Sequence, residues 1–360
     1  MNASPILRAE TLIPLSTPLK VMSELREHYG EHGTISGVDT AWSVAFDIGK
    51  AHARMQDGAV TFTVEAGDDA SLSLLQWSVA EHVLEYAPQD RPQIVWNGGT
   101  KAGLPLPYFR EMQVVRAVQV TPLMRRLTLT GHDLSRFARD GLHVRLLLPA
   151  KPGQTPVWPV MASDGRQAWL DEGDYPVARV YTIRRIDVAA GEVDIDFVLH
   201  EGVDMPGARF ASEAEPGDKV GMTGPGGSNL KAASRYLFVG DETALPAISR
   251  MLEELPADAQ ARAIIEVADP AERQELADRE GIHVEWLSRD DRPAGSTTLL
   301  PEAVEAIDLS SPEDDVFVWA GCEHAAARRI RSHLKALGLT KQRFLVAAYW
   351  RRGTAGDVDD

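Results

Sequence analysis

Cysteine is nearly missing from this chain. Cys322 is the only one in 360 residues, so no disulfide framework can exist within it. No CxxC or paired Cys/His spacing offers a structural zinc site either. Positive charge is also short: 37 Lys and Arg stand against 53 Asp and Glu, a formal net charge of −16. That balance argues against sequence-independent nucleic-acid binding, which needs a basic face to displace counterions, though it leaves room for a local basic pocket. No apolar run approaches the ~18 residues of a membrane span. The opening "MNASPILRAETLIPLS" lacks the basic start and apolar core of a secretory signal. The expectation is a cytoplasmic protein with no membrane span and no nucleic-acid partner. Internal repeats and low-complexity tracts are missing as well.

What is present is an ordinary globular composition, 44% hydrophobic and 25% charged, in three parts. Gly/Pro-rich breaks fall at "NGGTKAGLPLP" (97–107) and "GPGGSNLKAAS" (224–234). They predict a small α+β domain over 1–105, a second domain over 106–230, a third over 231–353 and an acidic tail over 354–360. In the first part, "LKVMSELREHYGEH" reads as a helix. In "AVTFTVEA", Val60, Phe62 and Val64 alternate with polar residues as in a half-buried strand. "ASLSLLQWSVAEHVLEYA" follows as an amphipathic helix with Leu72, Leu75, Val79, Val83 and Tyr86 near helical spacing. His28 and His82 on these helices are packed, solvated or ligating.

The middle part holds six short runs with period-2 alternation or β-branched enrichment: "EMQVVRAVQV", "LMRRLTLTG", "HVRLLLP", "ARVYTIRRI", "EVDIDFVLH" and "DKVGMTG". Six such strands predict a small antiparallel barrel, whose closure removes exposed edges. In "EVDIDFVL", Val193, Ile195, Phe197 and Leu199 face one way and Asp194 and Asp196 the other. The last part alternates apolar strands with helical stretches: "SRYLFVG", "DETALPAISRMLEELP", "ARAIIEVAD", "PAERQELADREG", "IHVEWLSR", "DDVFVWAG", "CEHAAARRIRSHLKALG" and "QRFLVAAYW". Such alternation implies βαβ units and a parallel sheet of nucleotide-binding type.

"RVYTIRR" (179–185) is polar for a barrel strand. Arg179 and Arg184 either project into solvent or hold something. A barrel followed by a nucleotide-binding-type domain resembles the ferredoxin-reductase-like flavoenzymes, whose R-x-Y-S/T strand motif holds the flavin; Arg179, Tyr181 and Thr182 match it. The chemistry suits those types. Arginine offers a planar fork of donors to a pyrophosphate, tyrosine lays an amphipathic ring against an isoalloxazine, and a small hydroxyl can bond a ring nitrogen. Period 2 puts Arg179 and Tyr181 on one face and Thr182 on the other.

"GDETALPAI" (240–248), "WLSR" (286–289), "VWAGCEHAAARRIRSHL" (318–334) and "AAYWRRG" (347–353) together resemble the siderophore-interacting protein family of flavin-dependent ferric-siderophore reductases. The likeness runs from about residue 110 to 353. The helices "LREHYGEH" and "VAEHVLEYA" around a central hairpin resemble a small domain family without an assigned function. The first likeness implies FAD as cofactor, NADPH or NADH as donor (a reduced ferredoxin remaining open), and a ferric siderophore as substrate. The residues it implies for the cofactors are Arg179, Tyr181, Thr182, Arg184, His200, Gly207, Ala208, Gly240, Asp241, Thr243, Pro246, Glu323, Tyr349 and Trp350. For an anionic substrate it implies Arg289, Arg351 and Arg352, with Arg328 and Arg331 either joining them or forming a solvated helix face that complements the helix dipole.

Two departures stand out. Where the family has Gly-Pro-Ala-Ser-x-Trp opening a helix, this chain reads "MPGARFA", with Ala208 in place of the hydroxyl and Phe210 in place of the Trp. The terminal Gly-Tyr-Trp is Ala348-Tyr349-Trp350. The Gly240 loop has one glycine and two adjacent carboxylates, Asp241 and Glu242, so it is no glycine-rich phosphate cradle. It is either a tight strand-to-helix turn or the mouth of the nicotinamide site. Cys322 reads as packed at such a turn, with Glu323 the functional residue there. A flavin suits the task because nicotinamides deliver hydride whereas Fe(III) takes single electrons. The alternatives are a general flavin or quinone reductase on the same fold, and a binding module that only captures an iron complex.

Overall fold

A computed structural model describes residues 5–139, 141–151, 153–170, 173–199, 205–227, 230–290, 292–309 and 315–354. The chain forms two units: Met1–Phe109 with Val157–Asp174, and Arg110–Pro156 with Tyr175–Asp360.

The first unit contains β1 (Leu7–Pro14), α1 (Pro18–Gly30), β2 (Thr34–Val38), β3 (Ala41–Phe46), β4 (Gly49–Gln56), β5 (Ala59–Ala66) and α2 (Asp69–Tyr86). Its strands make an antiparallel sheet in the order β1-β5-β4-β3-β2. Asp57 and Gly58, both at positive φ (47° and 79°), make the two-residue turn that joins β4 to β5 with the right-handed twist a hairpin requires. Val60, Phe62 and Val64 face inward with Trp42, Val44, Ala51 and Ala53. They pack on Val21, Met22, Leu25 and Tyr29 of α1 and on Leu72, Leu75, Val79 and Val83 of α2. Asp68 caps α2 by accepting from Ser71 N at 2.9 Å. The sheet is wider than the hairpin expected. In β1 the inward positions Ala9 and Thr11 are small or polar, so its alternation is weak until β5 pairs with it.

The second unit begins with a barrel: β6 (Phe109–Thr121), β7 (Met124–Thr130) and β8 (His143–Leu148). Residues 157–174, with two-residue strands β9 (Val160–Met161) and β10 (Gln167–Ala168), belong to the first unit although the sequence puts them inside the barrel segment. There Met161 is buried with Ala70, Leu106 and Tyr108. The barrel resumes with β11 (Val177–Asp187), β12 (Glu192–Val198), α3 (Pro206–Glu213) and β13 (Lys219–Gly226), and closes in the order β11-β12-β7-β6-β13-β8. These are the six runs marked in the sequence. Val193, Ile195 and Phe197 are fully buried inside it with Leu127, Leu129, Val144, Leu146 and Ile183. Asp194 and Asp196 do face the other way, but not into water. Arg126 grips Asp196 at 2.6 and 2.8 Å, and Arg185 and Thr128 donate to Asp194 at 2.8 and 2.6 Å.

The remainder is β14 (Arg235–Gly240), α4 (Leu245–Glu254), β15 (Gln260–Val267), β16 (Ile282–Ser288), α5 (Leu299–Glu305), β17 (Val316–Glu323), α6 (His324–Ala336) and β18 (Phe344–Trp350). The sheet is parallel, in the order β16-β15-β14-β17-β18. Phe238, Ile265 and Trp319 pack with α4 on one face, and Leu237, Ile264 and Val318 with α5 and α6 on the other. The helix expected over 270–281 does not form: a 3-10 turn at Pro270–Glu272 gives way to irregular chain. The reason is anchorage at both ends. Glu272 is buried, accepting from Thr121 Oγ1 at 2.6 Å and Leu123 N at 2.9 Å in the barrel, and Arg279 donates to the Leu255 and Pro256 carbonyls. No described helix is long and apolar enough to cross a membrane.

Candidate functional site at the sheet switch point and the barrel strand

β14 lies at the centre of its sheet, with β15 and β16 added on one side and β17 and β18 on the other. The order reverses between β14 and β17, and crevices for ligands in open α/β sheets form at the carboxyl ends of such strands. Gly240, Asp241, Gly321, Cys322 and Glu323 stand there. A Cβ on Gly240 would lie 2.6 Å from Ala244 Cβ and 2.9 Å from the Gly321 carbonyl, so the turn into α4 demands glycine for packing and not for a phosphate.

Asp241 ties three strand ends together. Only 5% exposed, it accepts from Thr243 N (2.9 Å) and Thr243 Oγ1 (2.5 Å), from Glu323 N (3.2 Å) and from Trp350 Nε1 (2.8 Å). Burial and the adjacent Glu242 push its carboxyl above the usual carboxylate range. Thr243 bonds this carboxylate, and Pro246 sits in the first turn of α4. Glu323 caps α6 through Ala325 N and also accepts from Arg352 N at 3.2 Å. Asp241, Glu266, Thr297, Cys322 and Glu323 line a cavity of about 40 Å³. Cys322 is inert: burial, then Asp241, Glu323 and Glu266, push its thiol well up.

Arg289 has a different employment from the one expected. It is 4% exposed and paired with the buried Glu242 at 2.7 and 2.8 Å, with Glu266 at 3.7 Å. Its charge compensates those carboxylates and is not offered to a substrate. Arg184 is likewise engaged: Glu253 of α4 takes it at 2.6 and 3.0 Å. With Arg250 donating to the Ile183 carbonyl at 3.1 Å, this pair fastens α4 to β11. Arg331 donates to the Val346 carbonyl at 2.8 Å, and Arg328 is exposed. Arg351 and Arg352 are exposed beyond β18, with no ion pair among the described residues.

The two halves of the site meet at His143, which no spacing in the sequence singles out. It starts β8, opposite Thr182 of β11, and its Nε2 shares a 2.7 Å hydrogen bond with Tyr349 Oη, 206 positions away. Burial, and secondarily Arg250, lowers the His143 imidazole to about 4, so it is neutral at physiological pH. Burial and then Asp241 hold the Tyr349 phenol protonated. The Tyr349 ring sits edge-on to Trp319 and to His143.

On the barrel, Arg179 donates only to the Ala178 carbonyl, at 2.7 Å, and has no carboxylate partner among the described residues. Tyr181 packs on Phe197 with ring centroids 4.3 Å apart. Thr182, on the other face, is buried. A Cβ on Gly207 would fall 1.7 Å from Tyr181 Oη, so the strand motif and the first turn of α3 are in direct contact and any side chain there must displace the phenol. Met205 supplies no side-chain cap to α3, and Ala208 and Phe210 pack, the latter toward Phe197. His200 lies outside the described residues.

The second unit thus carries a closed six-stranded barrel and a parallel sheet, with the R-x-Y-T strand facing a helix start and aromatic residues at the strand ends. Residues 113–229 match the siderophore-interacting FAD-binding domain and residues 233–353 the siderophore-interacting protein domain. Residues 10–97 match an uncharacterized domain conserved in bacteria. The chain is 30% identical over 251 residues to the ferric vibriobactin reductase ViuB of Vibrio cholerae, covering 68% of this chain and 90% of that one. It is 33% identical over 252 residues to the NADPH-dependent ferric-chelate reductase of Escherichia coli, covering 67% and 92%. Among solved structures, a siderophore utilization protein from T. fusca is similar with a TM-score of 0.63 and 40% identity, covering 72% of this chain and 98% of that one. SipS from Aeromonas hydrophila follows with 0.58 and 33%, covering 69% and 93%. The chain belongs to the siderophore-interacting protein family.

Proposed function

We propose that this protein is an FAD-dependent ferric-siderophore reductase that draws on NADPH, oxidising one nicotinamide for every two ferric complexes reduced. The observation that carries the reading is the contact of Tyr181 with Gly207. It sets Arg179, which has no carboxylate partner among the described residues, on the same strand as an aromatic ring pressed against a helix start that its N-cap residue, Met205, does not cap through its side chain. That combination fits a flavin: a forked cation and the backbone N–H groups of a helix start for the pyrophosphate, and an aromatic wall for the ring system.

FAD, when bound, supplies the conversion of a two-electron hydride into the single electrons that ferric iron accepts. The chain's own residues hold, orient and exclude. Arg179 and the α3 N-terminus, including Gly207 and Ala208, take the pyrophosphate. Tyr181 and Tyr349 keep water from the ring system, and Thr182 offers a hydroxyl from the opposite face of β11. Gly240, Thr243, Pro246, Glu323 and Trp350 shape the approach of the nicotinamide, with Asp241 holding Trp350 in place. Arg351 and Arg352 are the exposed cations suited to an anionic complex. Hard Fe(III) is held by oxygen donors that bind softer Fe(II) far less well, so reduction itself releases the metal and the protein needs no iron ligands for the step. The E. coli relative's named dependence on NADPH supports the choice of donor.

An anaerobic titration tests this. The expected sequence is a flavin absorption band bleached by NADPH, then restored by a ferric hydroxamate or catecholate as a chelator traps ferrous iron at two per NADPH. A chain that takes up no FAD would refute the proposal. A flavin that bleaches but ignores the ferric complex would replace it with a flavin or quinone reductase.

A further inference from the structure

The first unit holds a histidine cluster that the reductase reading does not use. His28 in the last turn of α1 and His82 on α2 have ring centroids 4.2 Å apart, and His32, just past α1, lies 5.0 Å from His28. Two imidazoles on one tetrahedral ion, with metal–nitrogen bonds of about 2.0–2.1 Å, have centroids roughly 5 Å apart. The His28–His32 pair is at the separation a shared ion imposes, and the His28–His82 pair, about 1 Å closer, has to open slightly to share one.

Two further observations point the same way. His82 Nδ1 lies 2.7 Å from the Ser78 carbonyl of its own helix, which fixes the tautomer and leaves Nε2 as the lone-pair donor, the arrangement metal-bound imidazoles use. The charged groups acting on the cluster are Glu31 and Glu85 at His28, and Glu85, Glu24 and Glu27 at Tyr86, whose ring lies 6.1 Å from His82. Apart from the histidines themselves all are carboxylates, so the surroundings favour a cation. No three His, Cys, Asp or Glu donors among the described residues converge on one point as they stand. Closing the site takes rotation of His28, which is half-buried, and His32, which is exposed, about their side-chain torsions.

We propose that His28, His32 and His82 form a binding site for a divalent first-row transition-metal ion on the first unit. Imidazole with nearby carboxylate selects that class over magnesium or calcium, which prefer oxygen alone. The proposal is independent of the reductase reading.

The test is Co(II) chloride added to the full-length, tag-free, flavin-loaded chain. The expected result is a visible d–d band that saturates at one ion per chain. His28→Gln, His32→Gln and His82→Gln should each weaken binding by at least roughly 10–100-fold with the circular dichroism spectrum retained. The wild-type imidazole NMR signals give a second readout that needs no variant. Of the ten histidines, His28, His32 and His82 should broaden first. No band at millimolar Co(II), or broadening that spares these three, would overturn the proposal.

Discussion

Acid should loosen the second unit through His143, and the size of the effect follows from its surroundings. An unfolded histidine titrates near 6.5, whereas burial and then Arg250 bring His143 to about 4 in the folded chain. The sign follows from proton counting. Between these values the unfolded chain binds a proton that the folded one refuses, so stability is full above about pH 6.5 and is lost as pH falls. Integrating the two titrations gives a loss of about 2 kcal/mol by pH 5 and about 3 kcal/mol by pH 4. His143→Gln removes the titration while keeping a polar group near Tyr349 Oη, 2.7 Å from the imidazole in the native chain. Urea unfolding of wild type and variant at pH 7 and pH 5 isolates the term, because the other groups titrate in both. The variant's stability deficit should shrink by about 2 kcal/mol between the two pH values. An NMR titration of the His143 ring provides the direct check. A midpoint near 6.5, or a deficit independent of pH, would refute the reasoning.

Four other outcomes are expected. Gly207→Ala puts a methyl onto Tyr181 Oη and should cost about 1–3 kcal/mol of overpacking, read as at least a several-fold loss of FAD affinity by fluorescence; unchanged affinity would remove Gly207 from the flavin site. Arg184→Ala should leave FAD affinity unaltered while lowering stability by about 1 kcal/mol, and the loss should vanish in a Glu253→Ala background, since Arg184 is held by that carboxylate. Arg289→Ala strands the buried Glu242 and Glu266 and should destabilise by about 3–5 kcal/mol. The Arg351→Ala/Arg352→Ala double variant should instead keep stability and raise KM for an anionic ferric complex, an effect that added salt erases; a KM insensitive to that change would move the substrate cations elsewhere.

The legible parts of the site were those written in local sequence. "RVYTIRR" marked a polar barrel strand, and the "GDETALPAI" turn and terminal "AAYW" marked strand ends. The arginines were harder to read. Arg184 and Arg289 carry the same charge as Arg179 and Arg351, but the first two are consumed by Glu253 and by Glu242 with Glu266. Those partners lie on other elements, so no spacing along the chain reveals them. "PAERQELADREG" has helical propensity throughout, yet the buried acceptor role of Glu272 toward Thr121 and Leu123 overrides it.

By itself the sequence determined that there would be a closed six-stranded barrel and a parallel sheet, because side-chain periodicity is a local property and each strand shows its inward face in its own residues. It also determined the family, since the motifs at strand ends are contiguous. Only the tertiary structure decided that residues 157–174 leave the barrel for the first unit, which arginines are still exposed, and that His143 and Tyr349 close the site between barrel and sheet. Three histidines, two on helices and one just past the first of them, became one cluster for the same reason. Hydrogen bonds, ion pairs and ring contacts form between atoms within a few ångströms, and chain separation carries no information about which atoms those will be.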